Sequence, residues 1–240
     1  MAPRGTIRLK KPTIFQSNLF RGLPYWRLSV QDAAIEQILD FENADKANPR
    51  ILDLGCGLGY TLTRLSTSVR HGATLVGIDI SEWAIARAKI LIQETGDISR
   101  VKIECANAES TPFGDEEFDI VIANLAFSVF KKPENAASEV ARILKKNGRL
   151  VLTEVNKASL LGRLGELGDA LTGRLYYHLY SPSELARRFT ILGLRLDRVS
   201  RIPLKLNLRG RVLKISSKIS PVFLLKLSKP SRLYQGTRIK

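Results

Sequence analysis

The sequence predicts an α/β protein: a doubly wound, mostly parallel sheet with helices on both faces. Three observations carry that prediction. Short apolar runs that fit strands covered on both faces recur along the chain, segments with helical periodicity separate them, and the first run enters a turn holding Gly55, Gly57 and Gly59. At 240 residues and 44% hydrophobic content, there is material for one domain with appendages and a sizeable core.

Residues 28–41 carry Val30, Ala33, Ala34, Ile38 and Phe41 at helical spacing, behind an aromatic turn at Tyr25 and Trp26. Core packing is the expectation for those two aromatics, with closure over a ligand as the alternative. Strand one is 51–54. Residues 60–69 follow as a helix with Leu62, Leu65 and Val69 on one face, then a second buried strand at 74–80 and a helix at 82–94. Strands three and four are read at 101–105 and 119–123, the next helix at 134–145 and strand five at 149–155. Residues 156–177 break a leucine-rich pattern with Gly162, Gly165, Gly168 and Gly173, and read as a helical insertion over the substrate side. Ser181, Pro182 and Glu184 form a capping-box helix start, and a sixth strand is expected at 194–202.

Asp53 interrupts the first strand just before the glycine turn. Residues without side chains let backbone approach a ligand and adopt positive φ, although a glycine triplet alone fits a structural loop equally well. Asp79 lies twenty residues past Gly59. At that separation a carboxylate returns beside the first turn and can accept from ribose hydroxyls; capping of the 82–94 helix by Asp79 or Ser81 is the alternative. A dinucleotide fingerprint is Gly-x-Gly-x-x-Gly, whereas this turn is Gly-x-Gly-x-Gly. A carboxylate ahead of it repels a pyrophosphate and favours a ligand that carries an ammonium group.

Four blocks in order, spanning about residues 50–155, now resemble one family. They are Asp53-Leu-Gly-Cys-Gly-Leu-Gly59; Gly77-Ile-Asp79-Ile-Ser81; Ala106-Asn107-Ala108-Glu109 with Pro112-Phe113 and Phe118-Asp119; and the Leu144 to Leu152 helix end, glycine turn and strand. The chain resembles class I S-adenosylmethionine-dependent methyltransferases, in the ubiquinone/menaquinone-biosynthesis-type branch. The resemblance implies a Rossmann-like sheet with strand order 3-2-1-4-5-7-6 and an antiparallel last strand. It implies S-adenosylmethionine as cofactor and S-adenosylhomocysteine as product. Gly55, Cys56, Gly57 and Gly59 would form the turn around the methionine portion, with Asp53 on its amino side. Asp79 would take the ribose hydroxyls, Ile80 would pack on adenine, and Asn107 and Ala108 would meet the adenine edge. Relatives usually carry aspartate where Asn107 stands, which gives up charge assistance. Asn124, past the fourth strand, would line the methyl-transfer mouth.

Methyl transfer from a sulfonium needs alignment and exclusion of water more than acid–base groups, so a missing triad is no objection. His71 reads as a surface residue. His178, flanked by Tyr176, Tyr177 and Tyr180, is the candidate for contact with the acceptor, with aromatic packing as the alternative. Cys56 and Cys105 suit small buried positions rather than a disulfide framework, and no metal is implied.

Net charge is +15, and from Arg195 to Lys240 thirteen Lys or Arg residues face one acid, Asp197. Such an excess favours polyanions, lipid headgroups or phosphorylated substrates. Residues 203–230 alternate apolar and basic positions, with Pro221 dividing them, and read as a surface for an anionic membrane or as a lid helix with a solvated basic face. The seventh strand is then left to 234–240. The expected organisation is a lead-in at 1–49, a core at 50–204 with a lid near 156–180, and a basic extension at 205–240 within the same domain. The expected function is methyl transfer to a small-molecule or lipid-like acceptor. The alternatives are a nucleic-acid methyltransferase, since Asn124-Leu-Ala-Phe127 keeps the ends of an Asn-Pro-Pro-Phe motif without its prolines, and a non-catalytic cofactor-binding partner protein. No run is long enough for a membrane span and 1–20 lacks a secretory core, so a cytoplasmic location, peripheral to the inner membrane face, is expected.

Overall fold

A computed structural model describes residues 48–69, 72–95, 98–159, 178–208, 211–218 and 220–231, together with 30, 32–37 and 163. The strands are β1 (Arg50–Leu54), β2 (Thr74–Asp79), β3 (Val101–Cys105), β4 (Phe118–Asn124), β5 (Leu144–Val155), β6 (Arg195–Arg201), β7 (Leu204–Leu208), β8 (Arg211–Ile215) and β9 (Val222–Ser228). The described helices are α1 (Tyr60–Ser68), α2 (Glu82–Thr95), α3 (Pro133–Ile143) and α4 (Pro182–Ile191), and residues 32–37 are also helical.

Seven strands form one sheet in the order β3-β2-β1-β4-β5-β9-β6. β1 through β5 pair in parallel, and β9 runs antiparallel between β5 and β6. The central strands are apolar on both faces because helices cover both. Ile51, Leu75 and Ile120 pack with Leu62 and Leu65 of α1 and Ala88 and Ile92 of α2 on one face. Leu52, Val76 and Val121 pack with Ala136 and Val140 of α3 and Leu185 and Phe189 of α4 on the other. The chain has a Rossmann-like doubly wound fold, and its strand order is the expected one once β9 takes the seventh place.

That place corrects one expectation. The strand beside β6 is Val222–Ser228, and not 234–240, which lies outside the described residues. Residues 203–230 are not a lid helix either: β7 and β8 pair antiparallel as a separate hairpin, and β9 follows Pro221. The alternation was a strand period. β9 is buried on both faces, so its leucines serve the core rather than an amphipathic surface. The sheet therefore draws on residues well beyond 204.

Cys105 is a second correction, being exposed where a buried position was expected. β3 is an edge strand with only Ile103 fully covered, so its end has no neighbour on the outer side. The capping box is present as read: Ser181 Oγ accepts from the Glu184 amide at 3.2 Å, and Glu184 Oε2 accepts from the Ser181 amide at 2.6 Å. Tyr25, Trp26, His71, Tyr176 and Tyr177, with nearly all of the 160–177 insertion, lie outside the described residues.

Candidate functional site

The glycine turn crosses from β1 to α1 at the carboxyl end of the sheet, where open parallel sheets bind ligands. It is pinned from β2, because the Gly55 and Cys56 amides both donate to the Ile78 carbonyl at 2.9 Å. Gly55 (φ +76°) and Gly57 (φ +53°) hold left-handed backbone. A Cβ on Gly55 would stand 2.9 Å from the Ala126 Cβ, whereas one on Gly57 would meet nothing within 4 Å. Gly57 thus turns bare backbone toward a cavity of about 420 Å³, a volume suited to a nucleoside-sized ligand. Gly59 caps α1 against Ala88 and does not line that cavity. The Cys56 thiol lines it, but burial, then Asp53 and Asp79, push its pKa well up, which keeps it protonated.

Two carboxyl groups face the same space. Asp79, at the end of β2, accepts from the Gly57 amide through Oδ2 and from the Ser81 amide through Oδ1, each at 2.9 Å. Burial raises its pKa while those amides oppose the rise. The helix that follows is capped by Ser81, whose Oγ accepts from the Ala84 amide at 3.2 Å, so Asp79 is left to the cavity. Asp53 is 1% exposed, and its Oδ2 has no hydrogen-bond partner. Burial, and secondarily the Asp79 charge, raise its pKa to about 7. A buried carboxyl oxygen without a donor is costly unless a cationic ligand completes it.

Beyond β2, Ile80 lines the cavity with 69% of its surface exposed, an apolar platform at the rim. Ala106, Asn107, Ala108 and Glu109 close that side. Asn107 Oδ1 already accepts from the Glu109 amide at 2.9 Å, so the residue shapes its own loop as well as facing the cavity. The loop is anchored to α3. Glu139 Oε2 accepts from the Thr111 amide at 2.7 Å, and Arg142 donates to the Phe113 carbonyl at 2.8 Å. The Arg142 hydrogen bond holds the Glu139 pKa down at about 2.

The opposite wall begins at the end of β4. Asn124 lines the cavity, yet both ends of its amide are engaged: Nδ2 donates to Thr61 Oγ1 at 3.1 Å, and Oδ1 accepts from Thr153 Oγ1 at 3.0 Å. Leu125 next to it has φ +53°, an uncommon conformation for a branched side chain and the kind of strain that collects at functional sites. Phe130 and Lys131 complete this side, and Val30 and Tyr60 reach the cavity from elsewhere. The structure thus gathers Asp53, Gly55, Cys56, Gly57, Asp79, Ile80, Asn107, Ala108 and Asn124 around one cavity. It does not bring His178 there. That residue is exposed, lies outside the lining, and is tied by its backbone amide to the Ser128 carbonyl at 2.7 Å.

Tyr60, Phe130 and Lys131 were not legible as site residues. Tyr60 carried a signal, as an aromatic in the first helical position after the turn. Phe130 and Lys131 had none, because only folding brings them to the cavity, Phe130 against Gly55. Among the described residues, no three His, Cys, Asp or Glu side chains are grouped to hold a metal ion.

The methyltransferase-domain family matches residues 45–187 of this chain. An uncharacterized methyltransferase, YcgJ of Bacillus subtilis (strain 168), is 35% identical over 109 residues, which is 45% of this chain and 42% of that protein. A phosphatidylethanolamine N-methyltransferase of Cereibacter sphaeroides is 35% identical over 103 residues, covering 43% of this chain and 49% of the relative. A ubiquinone/menaquinone biosynthesis C-methyltransferase of Wigglesworthia glossinidia brevipalpis is 30% identical over 122 residues, covering 51% and 49%. These matches span about half the length of the curated relatives. The crystal structure of YcgJ superposes with a TM-score of 0.64 at 21% identity, over 84% of this chain and 100% of that one, which shows a shared fold.

Proposed function

Given that this chain belongs to the methyltransferase-domain family, we propose that it transfers the methyl group of S-adenosylmethionine to a small-molecule or lipid-like acceptor. S-adenosylmethionine is the cofactor that this family and fold imply. When bound, it supplies a methyl group on a sulfonium whose leaving group is a neutral thioether. The observation that carries the reading is the orphaned Asp53 Oδ2, buried at the cavity wall beside bare glycine backbone, which fits an ammonium donor.

The residues present fit the cofactor. Asp53 would accept from its ammonium group. Asp79 has spare lone pairs on both oxygens for two ribose hydroxyls while its amide bonds keep it aimed. Ile80 offers a flat apolar contact for the base, with Asn107 and Ala108 at the base edge. Asn124, held in place by Thr61 and Thr153, would shape the mouth of the cavity rather than move a proton. The leaving group departs without protonation, so the chain's contribution is alignment, worth up to about 7–11 kcal/mol in well-oriented systems.

The acceptor class follows from two supports. The phosphatidylethanolamine and quinone-biosynthesis relatives are named for lipid-like substrates. The β7–β8 hairpin joins the carboxyl end of β6 to the start of β9, so it lies at the carboxyl end of the sheet, the end that also carries the cavity. It carries Lys205, Arg211 and Lys214 in a region of basic excess, which supports contact with an anionic membrane surface. Among the described residues no helix is long and apolar enough to cross a membrane.

The test is calorimetric titration with S-adenosylhomocysteine, followed by incubation with tritiated donor and fractionated cell extract. Saturable binding and label in the organic-extractable fraction are expected. Label in RNA would replace the acceptor class, and absence of binding would end the reading.

A further inference from the structure

Glu154 is the one carboxylate in the core of β5, and nothing in the proposed chemistry uses it. It is 1% exposed, and among the described residues no Lys, Arg or His forms an ion pair with it. Its donors come from the turn after β4 instead. Phe127–Val129 is a single 3-10 turn in which the Val129 amide returns to the Ala126 carbonyl, so the amides that precede Val129 have no partner inside the turn. Glu154 Oε1, reaching across from the neighbouring strand, accepts the Ser128 amide at 3.1 Å. Burial pushes its pKa up to about 7, opposed by the Ser128 amide and hydroxyl and by the Phe127 amide.

Ser128 then passes the constraint on. Its carbonyl accepts from the His178 amide at 2.7 Å, and Tyr180, two residues further, bridges to Asn156 and accepts from the Lys157 amide at 3.0 Å. One buried side chain thereby joins three segments: the turn after β4, the end of β5, and the stretch that returns to α4. The first of these runs directly into Val129, Phe130 and Lys131, which line the cavity, with the Phe130 ring packed beside Gly55. A carboxylate kept in a core without a cationic partner is poor material for stability alone.

We propose that Glu154 is a positioning residue for the acceptor side of the cavity, capping the Phe127–Val129 turn from the adjacent strand so that Phe130 and Lys131 keep their place. This rests on the methyl-transfer reading of the same cavity. It predicts that an acceptor oxygen is needed at this position and a charge is not.

The experiment compares Glu154→Gln with Glu154→Leu, using S-adenosylhomocysteine affinity, transfer of labelled methyl into one fixed organic-extractable fraction, and amide resonances of 126–131. Glu154→Gln is expected to keep transfer within about threefold of the parent and to leave the Ser128 and Phe130 resonances in place. Glu154→Leu is expected to lower transfer at least tenfold, shift those resonances, and change S-adenosylhomocysteine affinity less than twofold. Equal transfer by both variants, or loss of product affinity in parallel with transfer, overturns the proposal and leaves the methyl-transfer reading standing. If Glu154→Leu does not fold, hydrogen exchange in the parent protein decides: a Ser128 amide as protected as those of β4 supports the cap, and rapid exchange overturns it. A parent protein that binds no S-adenosylhomocysteine overturns the underlying reading instead.

Discussion

The two walls of the cavity are built on opposite principles. The wall from β1 and β2 exposes groups left incomplete: an orphaned carboxyl oxygen on Asp53, bare backbone at Gly57, and an apolar Ile80 facing outward. The wall at the end of β4 is braced from behind by β5. Asn124 is bonded at both ends, Glu154 accepts from the Ser128 amide, and Thr153 is paired although fully buried. Incompleteness marks where a fixed cofactor would supply the missing partners. Saturation marks support, the kind of wall that can be reshaped for different acceptors without disturbing the donor.

The largest effect should fall on the incomplete wall. Asp53→Asn removes the charge proposed to meet an ammonium group, and S-adenosylhomocysteine affinity measured by calorimetry should drop about 30- to 100-fold. The same carboxyl has a pKa near 7 in the ligand-free protein. Parent affinity should therefore weaken about tenfold per unit as pH falls below that value, and the Asn variant should lose this dependence. Stability should move the other way. A folded-state pKa raised from 3.8 to about 7 means that this group's contribution to stability is fully present below about pH 4 and is lost as pH rises through 7. Asp53→Asn should consequently stabilise the ligand-free protein at pH 8, by about 1–4 kcal/mol, readable in urea unfolding. A variant weaker in both respects would break the contrast between the walls.

Next in size is the anchor of the 106–117 loop. Arg142→Ala removes the donors to Glu139 and the Phe113 carbonyl, and should cost about 1–2 kcal/mol, lowering Tm by about 2–8 °C. The Glu139 pKa is lowered from 4.5 to about 2. Its contribution is thus present above about pH 4.5 and disappears as pH falls through 2, so the variant and parent should converge in acid. Asn124→Ala, on the saturated wall, should destabilise by about 1 kcal/mol while leaving S-adenosylhomocysteine affinity within threefold, because its bonds run to Thr61 and Thr153. A large affinity loss there would mean that the wall contacts the cofactor directly. The smallest effect is expected for His178→Gln, an exposed residue that does not line the cavity; unchanged transfer at saturating donor would sharpen the assignment of the acceptor side to Phe130 and Lys131.

The donor wall was legible because it is local in sequence. A turn that needs φ > 0 demands glycine, and an acid at the end of the next strand returns beside that turn within one β-α-β unit, so the gathering of Asp53, Gly55, Gly57 and Asp79 at one cavity was legible in their spacing. Strand and helix positions through β5 followed from the same periodicities, as did the Ser181 cap. Tertiary structure decided everything that depends on partners distant in the chain. Glu154 reads as an anomaly inside an apolar strand until the turn after β4 is seen to lack acceptors for its amides. The alternating 222–228 run could have been a surface or a core element, and only its insertion between β5 and β6, covered on both faces, made it core. Local steric and periodic rules act within a few residues and are written in the chain; burial and hydrogen-bond completion depend on which segments meet, and that is known only once the sheet has closed.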